Sequence, residues 1–179
     1  MTNPHRFTCP EEDVSKLLST AAELAMEKSG VMGYLPDSIG ARDPVMVRDL
    51  LMPWGEWTPQ LGPAFTTPHP TRNEAYLLIL GETEIVPAFT LDIRSWDITW
   101  SGGRRTDSIK LTDHFYGDVI GPDYYPDITV GRILGDSAQA MQTPLLSSLE
   151  TLRGSGFDRT RAVAIGGYEV GSGDEFYAN

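Results

Sequence analysis

Several residue types and runs are scarce in the 179-residue sequence, and each scarcity closes off a class of function. Cys9 is the single cysteine, so no internal disulfide forms and the redox compartment cannot be read from thiols. Its place just ahead of a predicted helix suits an inert, packed thiol better than a nucleophile. Histidine is confined to His5, His69 and His114, and no HExxH, CxxC or paired-histidine spacing occurs, which argues against a zinc site. Positive charge is outnumbered, 14 Lys and Arg against 25 Asp and Glu, for a net charge of -11. Such a surface repels a phosphate backbone and an anionic bilayer, so neither nucleic acid nor membrane is expected as a partner. No apolar run approaches the ~20 residues of a spanning helix, and Met1 to Arg6 lacks a basic segment followed by an apolar one. As it stands the chain reads as cytoplasmic, or as a piece of something larger.

What is present is enough apolar residue, 40%, for one ordinary core. Thr8-Cys9-Pro10-Glu11 has the spacing of a capping box, and Val14, Leu17, Leu18, Ala21, Leu24 and Ala25 then recur at helical period up to Gly30. A helix over residues 10–29 follows. Prolines at 36, 44, 53, 59, 63, 68 and 70 leave room between residues 31 and 72 only for a short helix around Val45 to Met52. Tyr76-Leu77-Leu78-Ile79-Leu80 is a continuous apolar run, the pattern of a central parallel strand buried on both faces. Residues 96–100 and 108–111 flank Ser101-Gly102-Gly103-Arg104 and predict a peripheral β-hairpin. Ile128-Thr129-Val130 reads as a second core strand ending at Gly131-Arg132. Ser137 then caps a helix whose Met141, Leu145, Leu149 and Leu152 face inward and which Pro144 should kink or split. Ala162-Val163-Ala164-Ile165 reads as a third buried strand, running into Gly166-Gly167-Tyr168-Glu169. Strand, helix and strand in alternation predict an α/β fold with a mostly parallel sheet and flanking helices.

Ligands of open parallel sheets sit beyond the carboxyl ends of the strands. Here those ends read Gly81-Glu82, Gly131-Arg132 and Gly166-Gly167-Tyr168-Glu169: small residues that permit close approach, then two carboxylates out of three. The plain alternative is that the glycines turn the chain and the charges are solvated. Asp118, Asp123 and Asp127 make an acidic, oxygen-rich loop that weakly suggests calcium. Their spacing lacks the alternate positions and final glutamate of a calcium-binding helix-loop-helix, so a solvated, hydrogen-bonded loop is the favoured reading and no cofactor is expected. The run at 166–169 lacks GxGxxG or GxxxxGK and carries an anion where a phosphate cradle wants a lysine.

Two segments carry a family resemblance. Tyr76 to Glu82, followed by Ile85-Val86-Pro87, resembles the "yvLLvGd…iP" segment of the gingipain-type cysteine peptidases of the caspase-like clan. Thr112-Asp113-His114-Phe115-Tyr116-Gly117-Asp118 and Asp123 to Arg132 resemble that family's "sDhyYadvdGddyyPDiavGR". The segments stand in the family's order, and the resemblance covers roughly residues 74–175. It implies a partial caspase-like peptidase domain over 74–179, preceded by an N-terminal helix and proline-rich region over 1–73.

The family's peptidases use a His and Cys dyad, in "GHG" and "aC.tG" segments that this sequence does not contain. A thiolate nucleophile needs a neighbouring imidazole and an oxyanion pocket, so the resemblance implies catalytic residues downstream of Asn179. It further implies Glu169 as the carboxylate that steadies the catalytic imidazole, and Asp174 as the receptor for the guanidinium of a P1 arginine. The loop bearing Asp174 is shorter here than in the family. The resemblance implies a structural place for His114. The expected function is thus part of a cysteine endopeptidase, with a peptide or protein substrate and the rest of the domain, or a second chain, as partner. The alternative is a non-catalytic caspase-like binding or scaffolding module. Family members are commonly secreted, which leaves the compartment open.

Overall fold

The computed structural model describes residues 1–38, 42–57, 76–92, 109–119 and 126–154. A short 3-10 turn (Pro4–Arg6) precedes helices α1 (Glu11–Glu27) and α2 (Pro44–Trp57). Strands β1 (Tyr76–Leu80), β2 (Phe89–Asp92) and β3 (Ile109–Thr112), a 3-10 turn (His114–Tyr116), strand β4 (Thr129–Ile133) and helix α3 (Ala138–Arg153) follow.

β1 and β4 pair in parallel, Tyr76 opposite Thr129 through Leu80 opposite Ile133. The other edge of β1 is closed by the first residues of the chain. The Met1 ammonium donates to the Leu78 carbonyl at 2.7 Å, and the Leu80 N–H donates to the Met1 carbonyl at 2.9 Å. Thr2 continues the ladder outward in a parallel bridge with Tyr34, giving its N–H to Gly33 and accepting that of Leu35. β1 is therefore central and parallel, as its apolar run predicts, with an outer neighbour that no hydropathy pattern announces.

Alternation along the pleat sends Leu77, Ile79 and Val130 to one face, where they join Met1, Leu35, Val47, Leu51, Val86, Tyr116 and Ile128. Leu80 and Ile133 join the opposite core, built from Leu17, Ala21 and Leu24 of α1 and Ala138, Met141, Leu145 and Leu149 of α3. Helices thus cover both faces of the sheet, and the α/β reading holds. The expectation that all of β1 is buried does not: Tyr76 is 67% and Leu78 38% exposed. The helical cover is formed by side chains that reach only the Leu80 end of that face.

α1 starts at Glu11 with Pro10 as N-cap and no side-chain cap bond, which corrects the predicted capping box at Thr8. Glu11, Glu12 and Asp13 instead meet the positive end of the helix dipole. Its C-terminus is a Schellman motif, with Gly30 N–H on the Ala25 carbonyl and Ser29 N–H on that of Met26. The left-handed residue is Ser29, at φ 54°, and not the adjacent glycine. α2 runs further than the proline pattern suggests, through Pro53 to Trp57. It opens with Pro44, whose lacking N–H is an orphan there anyway, and Asp43 Oδ1 accepts the Val45 N–H at 2.9 Å.

Ser137 caps α3 through the Ala140 N–H, as predicted, and the helix continues past Pro144 without splitting. Leu152 lies on the exposed side rather than facing inward. α1 and α3 pack side by side, with Gln142 Nε2 on Thr20 Oγ1 at 2.8 Å and the Arg153 guanidinium on Glu23 and Glu27. β3 matches one predicted hairpin arm, and its antiparallel partner is β2. The other predicted arm, 96–100, lies outside the described residues, as does the third strand at 162–165.

Candidate functional site

β1 ends in a turn that only glycine accommodates. Gly81 has φ +117°, and a Cβ there would stand 2.8 Å from the Ile85 side chain. The turn places Glu82 to Pro87 over the carboxyl end of the sheet, the face where α/β proteins bind ligands.

One side chain fastens this loop from beneath. β4 holds Gly131 and Arg132, its predicted end, within the strand and runs on to Ile133, so Arg132 stands opposite Ile79 with its side chain only 8% exposed. Its Nε and Nη2 make a two-pronged bond to Asp113, at 2.7 and 2.6 Å. Nη1 donates to the carbonyls of Gly81 and Val86 at 2.8 Å each and of Glu82 at 3.3 Å. The planar fork of arginine matches a carboxylate and leaves one nitrogen for the carbonyls, an arrangement lysine cannot copy. Glu82 is fixed as well, since Oε1 accepts the Gly135 N–H at 2.9 Å and ties the β1 loop to the start of the α3 crossover.

The segment around Asp113 is a second fastening. Tyr116 is fully buried and its hydroxyl donates to the Pro87 carbonyl at 2.5 Å. Burial pushes its phenol well above the usual range, against the opposing pull of Arg132, so it stays protonated and can donate throughout the physiological range. Phe89 packs edge-on against Phe115 and Tyr116, with centroids 5.2 and 4.9 Å apart. Gly117 lies so close to the incoming β4 strand that a Cβ would meet the Ile128 carbonyl oxygen at 2.6 Å.

The residues singled out in the sequence fall as follows. Glu169, Asp174, Asp123 and His69 lie outside the described residues. Asp127 directs Oδ2 to the Val119 N–H at 2.9 Å, and Asp118 is buried. Among the described residues no group of three or more His, Cys, Asp and Glu is placed to hold a metal. His114 is exposed, its ring edge-on to Phe115. Cys9 packs against the α1–α3 core. The sequence marks Arg132 as a strand-end residue and Asp113 as part of a motif, and neither as half of a buried pair. The signal for their role was a lone arginine next to an apolar strand, since a buried cation requires a partner.

An open groove of about 540 Å³ runs between Pro4, His5 and Tyr34 and the Glu11, Ser15 and Leu18 side of α1. None of its lining comes from the strand ends, so it is separate from the loop site. Among the described residues no helix is long and apolar enough to cross a membrane.

Comparison with known proteins adds the family. The profile of peptidase family C25 matches residues 62–178, well over half the chain. No curated protein matches. Among solved structures, a complex of the pro- and mature domains of RgpB from Porphyromonas gingivalis aligns at 14% identity with a TM-score of 0.46, over 79% of this chain and 27% of that one. The Arg-specific cysteine proteinase gingipain R (RgpB) aligns at 15% identity with a TM-score of 0.43, over 76% and 26%. Likeness at that level leaves the assignment resting on the family profile. The chain spans about a quarter of the length of those structures.

Proposed function

The chain belongs to peptidase family C25, and from that premise we propose that it forms the N-terminal part of a cysteine endopeptidase domain whose histidine and cysteine follow Asn179 in a longer protein. The observation that carries this reading is the family match over 62–178, which takes in both motif segments and the positions of Glu169 and Asp174. The contribution of the described residues is scaffolding. Arg132, Asp113, Glu82 and Tyr116 hold the β1 loop rigid at the carboxyl end of the sheet, as one wall of a substrate cleft.

In this reading Glu169 stands beside the downstream imidazole, fixes its tautomer and stabilises the imidazolium that forms as the cysteine thiol gives up its proton. Asp174 receives a planar cation at the base of the P1 pocket. The substrate is a peptide or protein, and the partner is the remainder of the domain.

The test is a chain extended through its natural downstream sequence and assayed on peptides with arginine, lysine or alanine at P1. Cleavage after arginine is expected. Glu169→Gln should lower kcat about 100- to 10,000-fold, the scale set by loss of an orienting carboxylate. Asp174→Asn should act mainly through KM for the arginine peptide. A folded, extended protein that hydrolyses none of the peptides would overturn the reading and leave a non-catalytic binding module of the same family.

A further inference from the structure

We propose that residues 1–6 are a detachable strap, and that the slot it leaves beside β1 takes an extended peptide strand, supplied in trans and parallel to β1. The strap lies between two edges, β1 on one side and residues 33–35 on the other, and is joined to both by main-chain bonds that any extended chain can repeat. Without it, two edges stand unpaired, the ordinary condition for accepting a strand from elsewhere.

The strap is also weakly tied for something so deeply buried. Met1 is its one side chain in an apolar core; Thr2 and Asn3 are fully buried but polar. Asn3 Nδ2 reaches the Pro36 carbonyl only at 3.4 Å, and Arg6, whose Nη1 meets the Glu84 carbonyl, keeps Nη2 buried without a partner among the described residues. Few apolar contacts and an unsatisfied buried donor mark a segment that opens locally before the whole chain unfolds. Thr2 supplies the one side-chain preference on the ladder, because Oγ1 donates to the Leu80 carbonyl at 2.7 Å. The slot therefore fits an apolar residue followed by threonine or serine.

Two measurements on the intact chain test this together. The Leu80 and Leu35 amides depend on strap carbonyls, whereas the Gly81 amide bonds the Ile133 carbonyl across the β1–β4 ladder. Native-state hydrogen exchange should release the first two together, at least tenfold faster than Gly81. A fluorescent peptide of residues 1–7 should bind saturably, and the same peptide carrying Thr2→Pro, which lacks both the N–H and the hydroxyl, should not. Equal exchange at Leu80, Leu35 and Gly81, absence of binding by the natural peptide, or equal binding by both peptides would each overturn the proposal.

Discussion

A buried guanidinium has no neutral form to retreat to, so its surroundings must supply a counter-charge and acceptors or the fold is destabilised. Arg132 meets that demand with one carboxylate and three carbonyls drawn from separate parts of the chain. Arg132→Met is expected to cost about 3–5 kcal/mol, because it strands Asp113 and three carbonyls together. A shift of the urea midpoint worth less than 1 kcal/mol would show that the pair is dispensable. Gly117→Ala should cost about 1–3 kcal/mol through overpacking, since the obstacle at 2.6 Å is a main-chain oxygen and not a side chain that can swing aside. Motif letters alone do not separate such structural roles from chemical ones. Asp113 and His114 are neighbours in the sequence, yet one is a buried strut's partner and the other an exposed ring.

Elements with a strong apolar period were legible. α1, β1, β4 and α3 fall where the spacing of Leu17, Ala21 and Leu24, the run 76–80, and Met141, Leu145 and Leu149 put them. Their ends were less so, because termini are settled by single hydrogen bonds that periodicity does not record. The helical period of α1 runs up to Gly30, but Ser29 takes the left-handed turn and Gly30 follows it. Ser29→Gly is therefore expected to stabilise the protein by about 0.5–1 kcal/mol, read as a rise in thermal midpoint; an unchanged midpoint would mean the serine is unstrained there. Leu145→Ala, at the centre of the α1–α3 core, should cost about 2–5 kcal/mol. The acidic positions after the third predicted strand, Glu169 and Asp174, lie outside the described residues, so the candidate site was legible only as far as its scaffold.

At the scale of the whole molecule, the N-terminal ammonium gives stability a pH dependence. Burial lowers its pKa from the ordinary 8.0 to about 6. Between those values the unfolded chain binds the proton and the folded chain does not, so stability rises with pH. The full benefit is present above pH 8 and is lost as pH falls through 6, a difference of roughly 2–3 kcal/mol. Chemical denaturation at pH 5.5 and 8.5 should reveal it, and acetylation of the amine should flatten the slope; an equal slope in both forms would assign the effect to other groups. Nothing in Met-Thr-Asn signals a strand, because its burial is decided by partners far along the chain. The Met1 amine and the Leu78 carbonyl are 77 residues apart. At synthesis rates of about 5–20 residues per second, the first piece of the sheet to leave a ribosome waits on the order of 4–15 seconds for the strand it must join. Through that interval only residues 33–35 can pair Thr2, and the side that β1 covers in the native fold stays solvated, so completion of this sheet waits on translation.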